Sequence, residues 1–229
     1  MIAATAAASS IESDVRESLA NGREAGGEVA AAAEARLGEA VESIDVSKAM
    51  LDAATDAEAA AWRPLASADD AADKAIGSVR DTMWNALGRA KQHPAMNRVF
   101  PGGIGTYTSG DPRSQAVLME ILKSRIEMPG APDAWPFESR RAWSAEIAAA
   151  GARLAAAVEV HRPLDASLTV AHATYRATVR AAQHQLTKLK RDLQNLGLSE
   201  TQIHAIIPDA RRRSSAAKSP SQKAAEPAE

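Results

Sequence analysis

An all-α fold is what this sequence predicts: an elongated, alanine-rich helical bundle or coiled coil with one very long C-terminal helix, kinked at Pro163, and a disordered tail. Three observations carry the prediction. Alanine, the best helix former, supplies about a quarter of the 229 residues, whereas Phe, Trp and Tyr together make 3%. Apolar residues recur at three- and four-residue intervals along most of the chain, the repeat of one helix face. Start and stop residues such as Asp111-Pro112, Gly197 and Ser199 stand at the ends of those periodic stretches. A hydrophobic share of 45% is enough for a continuous core.

Taken in order, residues 1–27 read as a loosely ordered arm with a short helix, Ile11 to Ala20, ended by Asn21-Gly22 and followed by Gly26-Gly27. The helical bundle proper is expected over 28–207. Its first helix covers 28–62, where Ala30, Ala33, Leu37, Val41, Ile44 and Leu51 share one face, and Pro64 ends it. Ser67 then caps a helix over 68–92, with Asp69 and Asp70 in its first turn and a seam through Ile76, Val79 and Met83. These two helices form a hairpin. An ordered loop, 93–111, follows; its Val, Phe, Ile and Tyr content argues for packing onto the bundle end rather than for a linker.

Asp111 as N-cap and Pro112 at the first position start a helix over 112–127. The longest periodic stretch, 137–196, runs from Trp143 and Ile147 through Leu168, Tyr175 and Val179 to Leu189, Leu193 and Leu196. Two successive four-residue steps between Leu168 and Val179 mark a stutter in the seam. Unbroken, this helix spans roughly 90 Å. Gly197 closes it, and a capping box, Ser199 with Gln202, opens a short helix over 200–207. From 208 to 229 the chain is Ser, Ala, Lys, Pro and Glu without apolar period, which predicts disorder.

Composition excludes some chemistry. The chain has no cysteine, so it has no disulfide, thiolate nucleophile or Cys-based metal site. No signal peptide is read in Met1 to Ser10, and no apolar run approaches the roughly 20 residues of a membrane span, so a cytoplasmic protein is expected. Arg outnumbers Lys 19 to 8, which suggests a GC-rich bacterial genome. The net charge of −2 hides an asymmetry: residues 1–92 carry 16 acidic and 9 basic side chains, residues 137–213 carry 7 and 12. Complementary fields between antiparallel helices account for it. The basic end, Lys188, Lys190, Arg191 and Arg211 to Arg213, makes nucleic acid a possible partner, but no aromatic residue stands there to stack on bases.

Asp69-Asp70-Ala71-Ala72-Asp73 resembles the aspartate-rich motif by which all-helical prenyl synthases hold magnesium diphosphate, a likeness of five residues. It implies an enzyme acting on a diphosphate. Against it, Asp is favoured at a helix start in any case, and no second acidic motif or aromatic-lined pocket accompanies it. His161 and Asp165, one turn apart, have donor spacing for a metal, but His161 falls on the seam, where a buried, hydrogen-bonded histidine is expected. The loop offers a further candidate site, Phe100, Gly102, Gly103, Tyr107 and Arg113, in which glycine amides ahead of a helix start and a nearby guanidinium suit an anion. Neither the lysine of a P-loop nor a preceding strand accompanies these glycines.

No catalytic, cofactor-binding or metal residue is assigned on these grounds, and no cofactor is expected. The function expected is that of a non-enzymatic structural or protein-interaction module, joined to itself or to a partner helix through Tyr175, Val179, Leu186, Leu189, Leu193 and Leu196. The 28–92 hairpin, with helices of about 50 and 40 Å by rise per residue, is too short to cover the whole seam, and exposed leucines need a partner. In composition, with abundant Ala, no Cys and a Lys/Ala/Pro tail, the chain also resembles the granule-coating phasins. That resemblance implies an amphipathic coat for an apolar surface.

Overall fold

The computed structural model describes residues 2–91, 93–128 and 134–208, with the side chains of 2–7 left aside. Among the described residues the chain is all-helical, without a strand. The helices are α1 (Ile2–Ala25), α2 (Gly27–Ala86), α3 (Pro94–Val99), α4 (Gly105–Thr108), α5 (Pro112–Glu127), α6 (Phe137–Asn195) and α7 (Glu200–Ile206). No described helix is long and apolar enough to cross a membrane. The tail predicted over 208–229 lies, from 209 onward, outside the described residues.

Where start signals are local, the structure follows them. Asp111 accepts from the Arg113 amide at 3.0 Å and Pro112 takes the first position of α5. Ser199 and Gln202 form the reciprocal capping box of α7. Gly197 at φ 82° ends the long helix.

Three expectations fail, each where a glycine or proline stands. The arm of residues 1–27 is α1, continuous through Asn21-Gly22 and packed through Val15 and Leu19. Gly22 serves close approach, not termination: a Cβ there would stand 2.4 Å from the Ala33 Cβ. The break at Pro64 is absent, and 28–62 and 68–92 are one helix that ends earlier, at Ala86. Pro64 is exposed, as is Ala60, whose carbonyl loses its helical partner, so water can reach it. Leu65, Ala72 and Ile76 are buried just beyond, and each large apolar side chain contributes about 1.5–3 kcal/mol, enough to offset the proline. Helix α6, by contrast, is expected to continue through Pro163 and does so. Third, the loop 93–111 contains α3 and α4, the former capped by the His93 imidazole, which accepts from the Ala95 amide at 3.2 Å.

The chain divides into two compact units. Unit 2, Ala53–Leu168, holds the second half of α2, helices α3 to α5 and the first half of α6. Its core gathers Ile76, Val79 and Met83 of α2, Met119, Leu122 and Ile126 of α5, and Ile147 and Leu154 of α6. Trp135 donates from Nε1 to the Met83 carbonyl at 3.0 Å and meets Trp143 edge to face. Unit 1 joins Met1–Asp52 to Thr169–Glu229. In it α1, the first half of α2, the second half of α6 and α7 bury Leu19, Leu37, Ile44, Tyr175, Val179, Leu189, Leu193, Ile203 and Ile206.

Candidate interaction surface

Unit 1 covers most of the seam that the sequence offers for assembly. Tyr175, Val179, Leu189 and Leu193 are buried, Leu186 is half-buried, and Leu196 is exposed. For Tyr175, Val179, Leu189 and Leu193 the reading as an assembly surface is therefore corrected, because side chains buried inside one unit cannot also face a partner. The cause is α1, whose Val15 and Leu19 close this core as an ordered helix, with Ile203 and Ile206 of α7 beside them.

A polar cluster fixes α1 in place. The Tyr175 hydroxyl donates to Glu12 Oε2 at 2.6 Å, Arg16 holds Glu12 Oε1 at 3.0 Å and also reaches Asp45, and Lys48 lies 3.5 Å from Glu12. Burial pushes the Glu12 carboxyl up, but the Tyr175 and Arg16 hydrogen bonds and the Lys48 charge outweigh it and hold the carboxyl below its ordinary value. Burial, then the bond to this carboxylate, pushes Tyr175 up to about 12. At the other end of α1, Asn21 Nδ2 donates to the Ala205 and Ile206 carbonyls at 3.2 Å, satisfying the last turn of α7.

The loop candidates do not converge. Phe100 and Tyr107 are buried in the unit 2 core, rings edge to face at 5.7 Å. The Tyr107 hydroxyl donates to the Val99 carbonyl at 3.0 Å and accepts from Arg125. Gly102 and Gly103 form the exposed turn between α3 and α4, at φ 79° and 87°. Arg113 is committed to Asp165 at 2.7 Å. Phe100, Tyr107 and Arg113 thus hold the loop down, and Gly102 and Gly103 shape its turn.

Without a break at Pro64, Asp69, Asp70 and Asp73 stand inside α2 and cap nothing. Asp70 pairs with Lys74, and Asp73 accepts from Gln115. Burial, and then the charges of Asp73 and Asp70, push Asp69 up. Among the described residues no three His, Asp or Glu side chains converge on a point fit for a metal. His161 is buried, its Nε2 lies 2.8 Å from Glu58 Oε1, and its ring meets Trp62 edge to face at 5.5 Å.

What remains open among the described residues is a groove between α2 and α6 in unit 1, beside the leucine seam rather than on it. Helix α1 occupies the flank of α2 that carries Glu34, Asp45 and Lys48, and no described helix covers the other flank. Two adjoining hollows of about 320 and 430 Å³ run along it, sharing Glu39, Ser43 and Thr178. Their walls are small: Ala35, Ala40 and Ser43 on α2, Thr174, Thr178 and Ala181 on α6. Arg36 bridges to Asp192 at 2.6 Å at one end. At the other end Val46 and Met50 are 62% and 57% exposed, and Val170, one turn before Thr174, is 64% exposed. Glu39 and Glu42 make no ion pair among the described residues, so the α2 wall carries free negative charge. The signal was present in sequence as Ala, Ser and Thr at three- and four-residue spacing beside the apolar seam. It was invisible because alanine fits a core and a groove floor equally well.

Compared with known proteins, the chain matches no family model, no curated protein and no solved structure.

Proposed function

We propose that the protein is a protein-interaction module that docks the helices of a partner on the small-residue α2/α6 face of unit 1. One observation carries the reading: two hollows in line on a helix pair that no described helix covers end in exposed Val46 and Met50. A helix laid there meets small side chains, so the backbones approach closely, and the apolar pair at the end supplies an anchor worth about 1.5–3 kcal/mol per side chain buried. The module reading is that drawn from the sequence, moved from the leucine seam of α6 to the groove that α6 forms with α2.

The test uses a photo-cross-linking residue placed at Ser43 or Met50, with Glu24 of α1 as the control position, in cells making the full chain. Discrete cross-linked products from the two groove positions and none from Glu24 are expected. Silence at both groove positions, or the same products from Glu24, ends this reading.

A further inference from the structure

We infer that the partner on this face is the same face of a second copy of the chain, related by a twofold axis parallel to the helices, so that α2 of each copy lies over α6 of the other. The inference rests on the docking role proposed above and names its partner. Charge decides it. The α2 wall carries Glu39 and Glu42 without ion pairs among the described residues. The α6 wall carries Lys188, exposed, three residues past Gln185 of the lining, and it too makes no ion pair among the described residues.

The two walls are in register. Arg36, three residues before Glu39, bonds Asp192, four residues after Lys188. In an antiparallel pair this sets Glu39 and Lys188 at one level, on opposite walls. An axis parallel to the helices keeps every level and exchanges the walls. Glu39 of each copy then faces Lys188 of the other, giving two crosswise pairs, the isologous pattern that a twofold interface requires. Met50 of each copy comes over the Thr174 and Thr178 wall of the other and loses its exposure. The competing face-to-face arrangement, with α2 on α2, gathers Glu39 and Glu42 of both copies on one wall and is opposed by like charge.

Sedimentation velocity across a concentration series, at low and high salt, tests this with the purified full chain and the variants E39K and K188E. The wild-type chain dimerises. Each variant alone weakens the dimer about tenfold at low salt, because both crosswise pairs become repulsive. An equimolar mixture of the two variants restores it, since in the mixed dimer every position 39 faces an opposite charge at 188. Both substitutions lie on exposed side chains, and far-UV circular dichroism verifies that the helices are intact. A wild-type chain that stays monomeric at every concentration overturns the inference, as does a dimer indifferent to E39K, K188E and their mixture. If the chain is monomeric while Ser43 cross-links in cells to a different protein, the docking role stands and the second copy alone is excluded.

Discussion

Two glycines with one helical propensity behave oppositely, and the difference lies in what a methyl group would touch. Gly22 faces Ala33, whose Cβ would be 2.4 Å away and is held by its own backbone, whereas a Cβ at Gly77 meets nothing within 4 Å. Gly77→Ala is expected to raise stability by about 0.5–1 kcal/mol and Gly22→Ala to lower it by about 1–3 kcal/mol, both read from urea denaturation. At Glu12 and Tyr175 the pH dependence follows from opposite shifts. Glu12 is held low, so its contribution is present above its ordinary value and is lost as pH falls through the lowered one. Tyr175 is raised, so its contribution is present below the ordinary tyrosine value and is lost as pH rises through about 12. Glu12→Gln is expected to cost about 1–3 kcal/mol at neutral pH. The chain has two tyrosines, and tyrosinate absorbance should show the later of the two transitions moving down in Glu12→Gln.

At the scale of elements, helices whose ends are marked by their own residues were legible: α5 by Asp111-Pro112 and α7 by its Ser199 box. Helices whose ends depend on neighbours were not. Pro64 and Pro163 each stand in an Arg-Pro-Leu triplet, at 63–65 and 162–164, preceded by Trp62 and His161, whose rings touch. This repeat is the sequence signal that the two prolines share a setting inside long helices. Both prolines are exposed, so a replacement meets no core. Pro64→Ala and Pro163→Ala restore the hydrogen bonds to the carbonyls of Ala60 and Glu159, and a higher Tm is expected for each, corresponding to about 1–3 kcal/mol. A lower Tm in either variant, by calorimetry, would show that the helix uses its missing bond.

For the molecule as a whole, the division into units separates what is contiguous from what is not. The core of unit 2 is drawn wholly from within Ala53–Leu168, one uninterrupted segment. A fragment of those residues is expected to be helical and to unfold cooperatively in urea by circular dichroism; a noncooperative, gradual loss of signal would show that its core is insufficient. Unit 1 has no such option, since Glu12 and Tyr175 are brought together from opposite ends of the chain. Such contacts carry a loop-closure cost and form after local structure.

The sequence by itself determined that the chain is helical, that α5, α6 and α7 lie where they do and which faces of them are apolar. Those features depend on residues three or four apart and on caps, and both are local. Only the tertiary structure decided that α1 is a packed helix, that Pro64 lies within α2, that Leu189 and Leu193 are interior and that no described helix covers the Ser43 and Thr178 side of unit 1. A glycine at a close approach and a glycine at a helix end are identical in sequence, and an alanine suits a core or a groove. What distinguishes them is the neighbouring helix, which folding brings from a distant part of the chain.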